Sequence, residues 1–412
     1  MMEGRGDIIV GLDIGTTKIG CIVGEIYGRD INIIGIGTHP SIGLRKGVVV
    51  NIESTVESIK KAVEEAEMMA GVEISSVYAG IAGGPITSIN SRGIIAVKGN
   101  EITQHDVNRV IEAARAVSIP MDREVIHVLP QEFIVDDQDG IQNPVGMSGI
   151  RLEAKIHIVT GAVTSARNIV KCANRAGLDV CEIALESLAS GRAVLTEEEK
   201  ALGVALIDIG GGTTDLAIFS GNHIKHTFVL ALGGSNFTND IAIGLRAPLA
   251  EAERLKERFG CCLTDRIHPE ENIEVPGLGG RPPRKLPRQI LGEILQPRME
   301  EVLALIHQEI QQRQLQHVIG SGVVLTGGGA MLEGATDVAE AVFKMPARLG
   351  KPVKISGLSD IVNHPMYATG VGLVTYGAQQ QRSIGTKRFR PHDKNIFYRV
   401  MAQMKKWFKE VI

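Results

Sequence analysis

Apolar residues occupy the first forty positions in short blocks, Ile8–Ile14, Ile19–Glu25 and Ile31–Thr38. Glycine-bearing turns separate them, which predicts three strands. Val56, Ile59, Val63 and Ala66 then recur at three and four with charged residues opposite, predicting a helix from about Ile52 to Met69. Val77–Ile81 follows as a further strand. Between about Gly83 and Gly161 the rhythm changes: strand-like Ile94–Val97, a helix around Asp106–Val117, then Glu124–Val135 and Leu152–Val159. This stretch reads as a small inserted α+β subdomain, with polar Asp136–Gly149 as its longest loop. A helix carrying Ile169, Val170, Ala173 and Ala176, and a second running through Leu188, resume the first unit.

A strand at Gly203–Ile209 opens a second half. The first half begins Val10-Gly-Leu-Asp-Ile-Gly-Thr-Thr-Lys18, and the second begins Leu206-Ile-Asp-Ile-Gly-Gly-Gly-Thr-Thr-Asp215. The repeat implies two copies of one α/β unit facing each other, with a glycine turn on each wall of the cleft between them. Asn222–Val302 breaks the α/β rhythm with Gly233-Gly234, a helix around Glu251–Phe259 and the Pro-Arg-rich stretch Gly279–Arg288. From Val323 a strand, a triple-glycine turn and a helix return. Gln379–Lys394 is polar, basic and aperiodic, and reads as a linker.

The 412 residues exceed one ordinary core, so two or more domains are expected. No apolar run reaches the roughly 18–20 residues of a spanning helix. The short polar stretch Met1–Asp7 leads straight into a strand, so no signal peptide is read. Cys21, Cys172, Cys181, Cys261 and Cys262 form no CxxC pair and no metal spacing, which fits free thiols in a reducing compartment. Net charge is −3, and no nucleic-acid partner is expected. From Lys387 onward eight basic residues face two acidic ones, a tail of +6 that leaves −9 for the body. An acidic body with a basic tail points to an anionic partner met by the tail alone.

Three glycine turns follow buried strands: Asp13-Ile-Gly-Thr-Thr-Lys18, Asp208-Ile-Gly-Gly-Gly-Thr-Thr-Asp215 and Thr326-Gly-Gly-Gly-Ala-Met-Leu-Glu-Gly334. Glycines let backbone N–H groups approach phosphate oxygens, and hydroxyls or a lysine add donors. Asp13 and Asp208 stand where they could hold Mg²⁺ through water. One such turn is equally an ordinary tight β-turn; two related turns, one opening each half, with a third near the end, are not. Neither a Walker A nor a Rossmann glycine pattern follows a strand.

These turns resemble the phosphate 1, phosphate 2 and adenosine motifs of the actin/DnaK/sugar-kinase superfamily. Glu186-Ser-Leu-Ala189 and Tyr367-Ala-Thr-Gly-Val-Gly372 resemble its two connecting helices. Within it the chain is similar to the FtsA family over nearly its whole length, most specifically at Gly279-Gly-Arg-Pro-Pro-Arg284, Gln296-Pro-Arg298 and Val324-Leu-Thr-Gly-Gly328. The resemblance implies an α/β, actin-like (ribonuclease H-like, duplicated) two-lobed ATPase fold with an inserted α+β subdomain and a C-terminal amphipathic helix. Its parts would be lobe 1 at 1–82 and 162–197, the insertion at 83–161, lobe 2 at 198–226 and 303–378, a further subdomain at 227–302, a linker at 379–394 and the helix at 395–412.

By the same resemblance Gly15, Thr16, Thr17 and Lys18 would cradle ATP phosphates from one wall, and Gly210, Gly211, Gly212 and Thr213 from the other. Asp13 and Asp208 would organise Mg²⁺, while Gly233, Gly234, Glu253, Lys256, Gly327, Gly328 and Gly329 would hold ribose and adenine. Glu186 matches the position of a carboxylate near the attacking water, with Ser187 where proline is usual; a helix-surface glutamate is the alternative, and at most weak ATPase activity is expected. The family also implies filaments, the C-terminal peptide of FtsZ as a partner, later division proteins met by the insertion, and a place at the cytoplasmic side of the inner membrane at the septum. Arg284 and Arg298 are the residues assigned to that acidic peptide, at positions expected to be exposed; a solvated basic loop is the alternative.

In Asn395–Ile412 the residues Phe397, Val400, Met401, Met404, Phe408 and Val411 form one apolar stripe with Trp407 at its margin. Lys405, Lys406 and Lys409 stand on the opposite face. A helix beyond a polar linker, basic on one face and carrying Trp and Phe on the other, reads as lying in an anionic membrane surface. A helix docked on its own domain is the alternative. A metabolic kinase would need a further aspartate as base and leaves the tail unexplained. A DnaK-type chaperone would need a substrate domain.

Overall fold

A computed structural model describes residues 6–28, 30–277 and 281–384. In chain order the strands and helices of the first half are β1 (Asp7–Ile14), β2 (Lys18–Tyr27), β3 (Asp30–Pro40), the small hairpin β4 (Leu44–Arg45) and β5 (Val48–Val49), α1 (Ile52–Ala70) and β6 (Ser76–Ile81). The insertion adds β7 (Thr87–Ala96), α2 (Gln104–Arg115), β8 (Arg123–Val135), β9 (Gln138–Ile141) and β10 (Arg151–Ala162). Lobe 1 resumes with α3 (Val163–Arg175), β11 (Asp179–Leu185), α4 (Glu186–Val194) and α5 (Glu197–Leu202). The second half holds β12 (Val204–Ile209), β13 (Thr214–Ser220), β14 (His223–Leu230), α6 (Gly234–Leu245), α7 (Leu249–Phe259), β15 (Asn272–Val275), β16 (Arg284–Pro287) and α8 (Gln289–Gln312). It ends with β17 (Val323–Thr326), α9 (Ala335–Phe343), β18 (Ala347–Leu349), β19 (Ser356–Gly357), α10 (Ser359–Val362) and α11 (Ala368–Ile384).

The repeat in the sequence is a repeat in space. Lobe 1 is a sheet of order β11-β6-β1-β2-β3-β19, and lobe 2 one of order β14-β13-β12-β17-β18. In each, an antiparallel three-strand meander continues from its first strand into parallel neighbours, β6 beside β1 and β17 beside β12. β1 and β12 therefore occupy equivalent central places, and their C-terminal ends carry Asp13 and Asp208. Both strands are buried almost throughout because helices cover both faces of their sheets.

Local chemistry marks the element ends. Asn51 caps α1 by accepting from the Ser54 amide, and Thr103 with Asp106 forms a reciprocal capping box on α2. The insertion is a four-stranded sheet of order β7-β10-β8-β9 with α2 on one face and a core of its own around Val110, Leu152, Ile156 and Ile158. Three readings of the pattern differ from the structure. The expected long loop at Asp136–Gly149 contains β9, and the stretch read as two consecutive helices contains β11 between them. β11 lies at the edge of its sheet and is mostly half-buried, so no apolar block marks it. α11 runs to Ile384 and takes in the first six residues of the expected linker. The terminal helix and the rest of the linker lie outside the described residues. Among the described residues no helix is long and apolar enough to cross a membrane.

Candidate nucleotide site

The two phosphate turns face each other between the lobes. A side chain added at Gly212 would overlap Thr16, and one at Gly211 would overlap Thr17. Only hydrogen at these α-carbons lets the walls approach. Each turn is braced from behind. Thr16 Oγ1 accepts from the Gly47 amide of the β4–β5 hairpin at 2.9 Å. Gly210 N donates to Thr213 O at 2.9 Å, and the first amides of α6 donate back to the turn, Gly234 N to Gly210 O at 2.8 Å and Ser235 N to Gly211 O at 2.7 Å. Lys18 Nζ donates to Met366 O at 2.7 Å and lies 4.2 Å from the centroid of Tyr367.

Beneath the turns stand four carboxylates and one lysine. Burial pushes the Asp13 carboxyl up to about 6 against the pull of Lys18. Asp208 also rises to about 6, through burial and Asp13, although Ser190 and Thr369 hydrogen-bond to it. Asp215 rises to about 7, through burial and the charge of Asp208. Glu186 is driven well above the carboxylate range by burial, then by Asp13, Asp215 and Asp208. Burial lowers Lys18 against the pull of Asp13 and Asp208. Asp215 Oδ2 accepts from Thr213 Oγ1 at 2.9 Å, while Oδ1 is buried without a hydrogen bond. Such a cluster lacks positive charge, and the orphaned oxygen shows where it lacks it. Among the described residues no three His, Cys, Asp or Glu side chains could hold a metal ion between them. The residues fit a hydrated Mg²⁺ reached through water, not a closed protein cage.

On the lobe 2 side, Lys256 is buried and donates to Gly234 O at 3.2 Å, Thr238 Oγ1 at 2.9 Å and both Glu253 oxygens at 2.8 Å. Its charge is spent inside the lobe, whereas Glu253 stays partly exposed. Gly327 has φ +85°, a backbone state that a side chain would strain, and Gly328 beside it faces open space.

With this geometry in place, comparison with known proteins is direct. The family described as "Cell division protein FtsA" matches residues 205–372, and the "SHS2 domain inserted in FtsA" matches 83–160. The cell division protein FtsA of Pseudomonas aeruginosa is 52% identical over 377 residues, covering 91% of this chain and 90% of that protein. The chain belongs to the FtsA family of cell division proteins. The Escherichia coli K12 FtsA is 41% identical over 412 residues, covering 98% of this chain and 96% of that protein. Among solved structures, a PilM–PilN type IV pilus biogenesis complex aligns with TM-score 0.66 at 17% identity, over 90% of this chain and 98% of that one. MreB5 of Spiroplasma citri bound to ADP aligns with TM-score 0.57 at 16% identity, over 90% and 97%. The FtsA-family chain thus has the actin-like fold with an SHS2 insertion.

The residues assigned to phosphate and magnesium converge on the cleft. Glu186 opens α4 and joins the carboxylates there; it is not a glutamate on an outer helix face. Asp215 and its partner Thr213, and the Ser190 and Thr369 hydroxyls on Asp208, belong to the same cluster. Of these, Asp215 was legible as the last residue of the second turn. Arg284 and Arg298 lie elsewhere, beside α6. Arg284 is exposed and donates to Leu245 O. Arg298 is not the exposed residue expected. It is half-buried, with Nε and Nη2 on Asp240 at 2.5 and 3.1 Å and Nη1 on Glu301. The pairing arises because α8 packs along α6 and brings Asp240 within reach.

Proposed function

We propose that this FtsA-family chain binds ATP with Mg²⁺ between its lobes, assembles into actin-like filaments and tethers the FtsZ ring to the membrane. The observation that carries the first step is the meeting of two duplicated phosphate turns above buried, under-neutralised carboxylates. The amides and hydroxyls of Gly15–Thr17 and Gly211–Thr213 hold phosphate oxygens from opposite walls, and Gly233, Gly234, Glu253 and Gly327–Gly329 line the nucleoside side. Bound Mg²⁺ supplies the charge that offsets both the phosphates and Asp13, Asp208 and Asp215. Glu186 orients water there, and burial with Asp13, Asp215 and Asp208 nearby favours its protonated form, which takes up no proton from that water, in keeping with weak hydrolysis at most.

The acidic-apolar C-terminal peptide of FtsZ docks on the subdomain at 227–302, with Arg284 as first contact and Arg298 shared with Asp240. Ile243 and Leu249 are exposed at the same corner and offer apolar footing. The terminal stripe of Phe397, Val400, Met401, Met404 and Phe408 lies in the cytoplasmic face of the inner membrane at the septum, and the insertion receives later division proteins. Many weak anchors on one polymer act together, because each later contact is effectively intramolecular. Gly212→Val tests the cleft: Mg²⁺-ATP binding, expected to exceed GTP binding in the parent, should vanish. Undiminished ATP affinity in that variant overturns the assignment.

A further inference from the structure

The insertion is covalently part of lobe 1, entered after β6 and left at the start of α3. It is also pinned there by His127 of β8, whose Nε2 accepts from the Leu185 amide at 3.0 Å. Leu185 immediately precedes Glu186 of the cleft. On its other side the insertion covers β14, the edge strand of the lobe 2 sheet. An edge strand presents unpaired backbone groups, and here side chains of the insertion take them up. Ser88 Oγ donates to Thr227 O at 2.8 Å and Asn90 Nδ2 to Lys225 O at 3.3 Å. Gln131 Nε2, buried, donates to Ile224 O at 2.8 Å and Lys225 O at 3.1 Å. Lys225 is the extra residue of a β-bulge, since Ile218 pairs with His226 but Phe219 with Ile224. The bulge lets one amide side chain reach two consecutive carbonyls.

Behind these contacts His157 of β10 is fully buried between Asn90 Oδ1 at 2.6 Å and Thr227 Oγ1 at 2.9 Å. His226 next to it holds Glu309 of α8 at 2.9 Å. The insertion thus makes polar contacts at both ends, with the backbone beside Glu186 and with β14, whose His226 in turn holds the long helix α8. The same setting of the lobes brings Thr16 and Thr17 onto Gly211 and Gly212. Opening the cleft would draw β14 away from side chains fixed to lobe 1, taking from Gln131 both of its carbonyl partners and from His157 its Thr227 partner, which is unfavourable.

We infer that the inserted subdomain is a latch: its grip on the β14 edge strand holds the two lobes in the setting that closes the phosphate turns. This rests on the nucleotide reading of the cleft for its consequence, though not for its geometry. Nucleotide in the cleft and the insertion on β14 then stabilise each other, and linkage makes the effect reciprocal. A partner that pulled the insertion off β14 would loosen nucleotide, because only the closed fraction binds.

The experiment compares the parent, Gln131→Glu, the double variant Ser88→Ala/Asn90→Ala, and the surface control Met121→Gln. A fluorophore pair at exposed Lys61 and Glu300 reports the distance between lobes, and Mg²⁺-ATP is titrated into each protein. Gln131→Glu sets a carboxylate against two carbonyls, so its interlobe distance should broaden and its Mg²⁺-ATP affinity fall by about fivefold or more, within the usual range of coupling. Saturating Mg²⁺-ATP should restore the parent distance. The double variant should move the same way by less, and it decides the matter if Gln131→Glu does not fold. Parent-like distance in both variants overturns the latch, and so does a broadened distance with unchanged affinity. If the parent itself binds no Mg²⁺-ATP, the cleft reading fails, and the latch stands or falls on the interlobe distance alone.

Discussion

His127 and His157 are rings that the fold keeps neutral. Burial, with Arg192 beside it, pushes His127 down to about 4, and burial with His226 and His127 nearby pushes His157 down to about 3. Above the ordinary histidine value near 6.5 neither folded nor unfolded chain carries a proton there, so stability is unaffected. Below it the unfolded chain gains protons that the folded chain refuses. Stability therefore falls as pH drops from about 6.5 towards 4, by about 1.4 kcal/mol per pH unit for each ring. Proton NMR of the folded chain should show both rings unchanged between pH 8 and 5. A titration midpoint near 6.5 for either would contradict the buried, neutral assignment.

Pairs of elements carry the lobes' geometry. α4 and α11 cross where Gly372 meets the backbone of Ala189, and a side chain at Gly372 would overlap the Ala189 carbonyl. Gly372→Ala should thus force the helices apart and destabilise the chain by about 1–3 kcal/mol in urea unfolding, with a loss of nucleotide affinity as the lobes shift. Full parent stability would show that the crossing yields easily. α6 and α8 pose a different case. Arg284→Glu should cost FtsZ-peptide affinity several-fold with only a small drop in melting temperature, because the exposed side chain gives up no more than its bond to Leu245 O. Arg298→Glu should lower both, since it faces Asp240 and Glu301 with like charge. Equal melting temperatures for the two variants would mean that the Asp240 pair contributes little.

At the scale of the whole molecule, an acidic body stands against a basic tail. Each Lys or Arg near an anionic leaflet contributes about 1 kcal/mol, so on the proposed membrane reading one tail would be a weak anchor and a filament of tails a firm one. Met404→Glu puts a charge at the centre of the apolar stripe, at a cost of up to about 3 kcal/mol at full depth, and should release most of a monomeric population from vesicles. Lys406→Glu should weaken binding only to anionic vesicles, with the effect fading as salt rises. If truncation before Asn395 lowers the melting temperature and the parent never sediments with anionic liposomes, the tail is a docked helix instead.

The strand, turn and helix order of both halves was largely legible because most elements carry their own period, and because two copies of Asp-Ile-Gly with a following Thr-Thr announce a duplicated unit. That Gly15–Lys18 and Gly210–Thr213 form turns after buried strands was readable for the same reason: the backbone geometry they need is local. β11 was not, since an edge strand with half-exposed residues leaves no apolar block. The unfulfilled charge of Asp215, the inward turn of Glu186, the Asp240 pair that occupies Arg298 and the hold of Gln131 and His157 on β14 were decided by the tertiary structure alone. The last two join residues far apart in the chain, 58 between Asp240 and Arg298 and 93 between Gln131 and Ile224. Burial and charge at such sites are properties of the assembled surfaces, and no local pattern of residues encodes them.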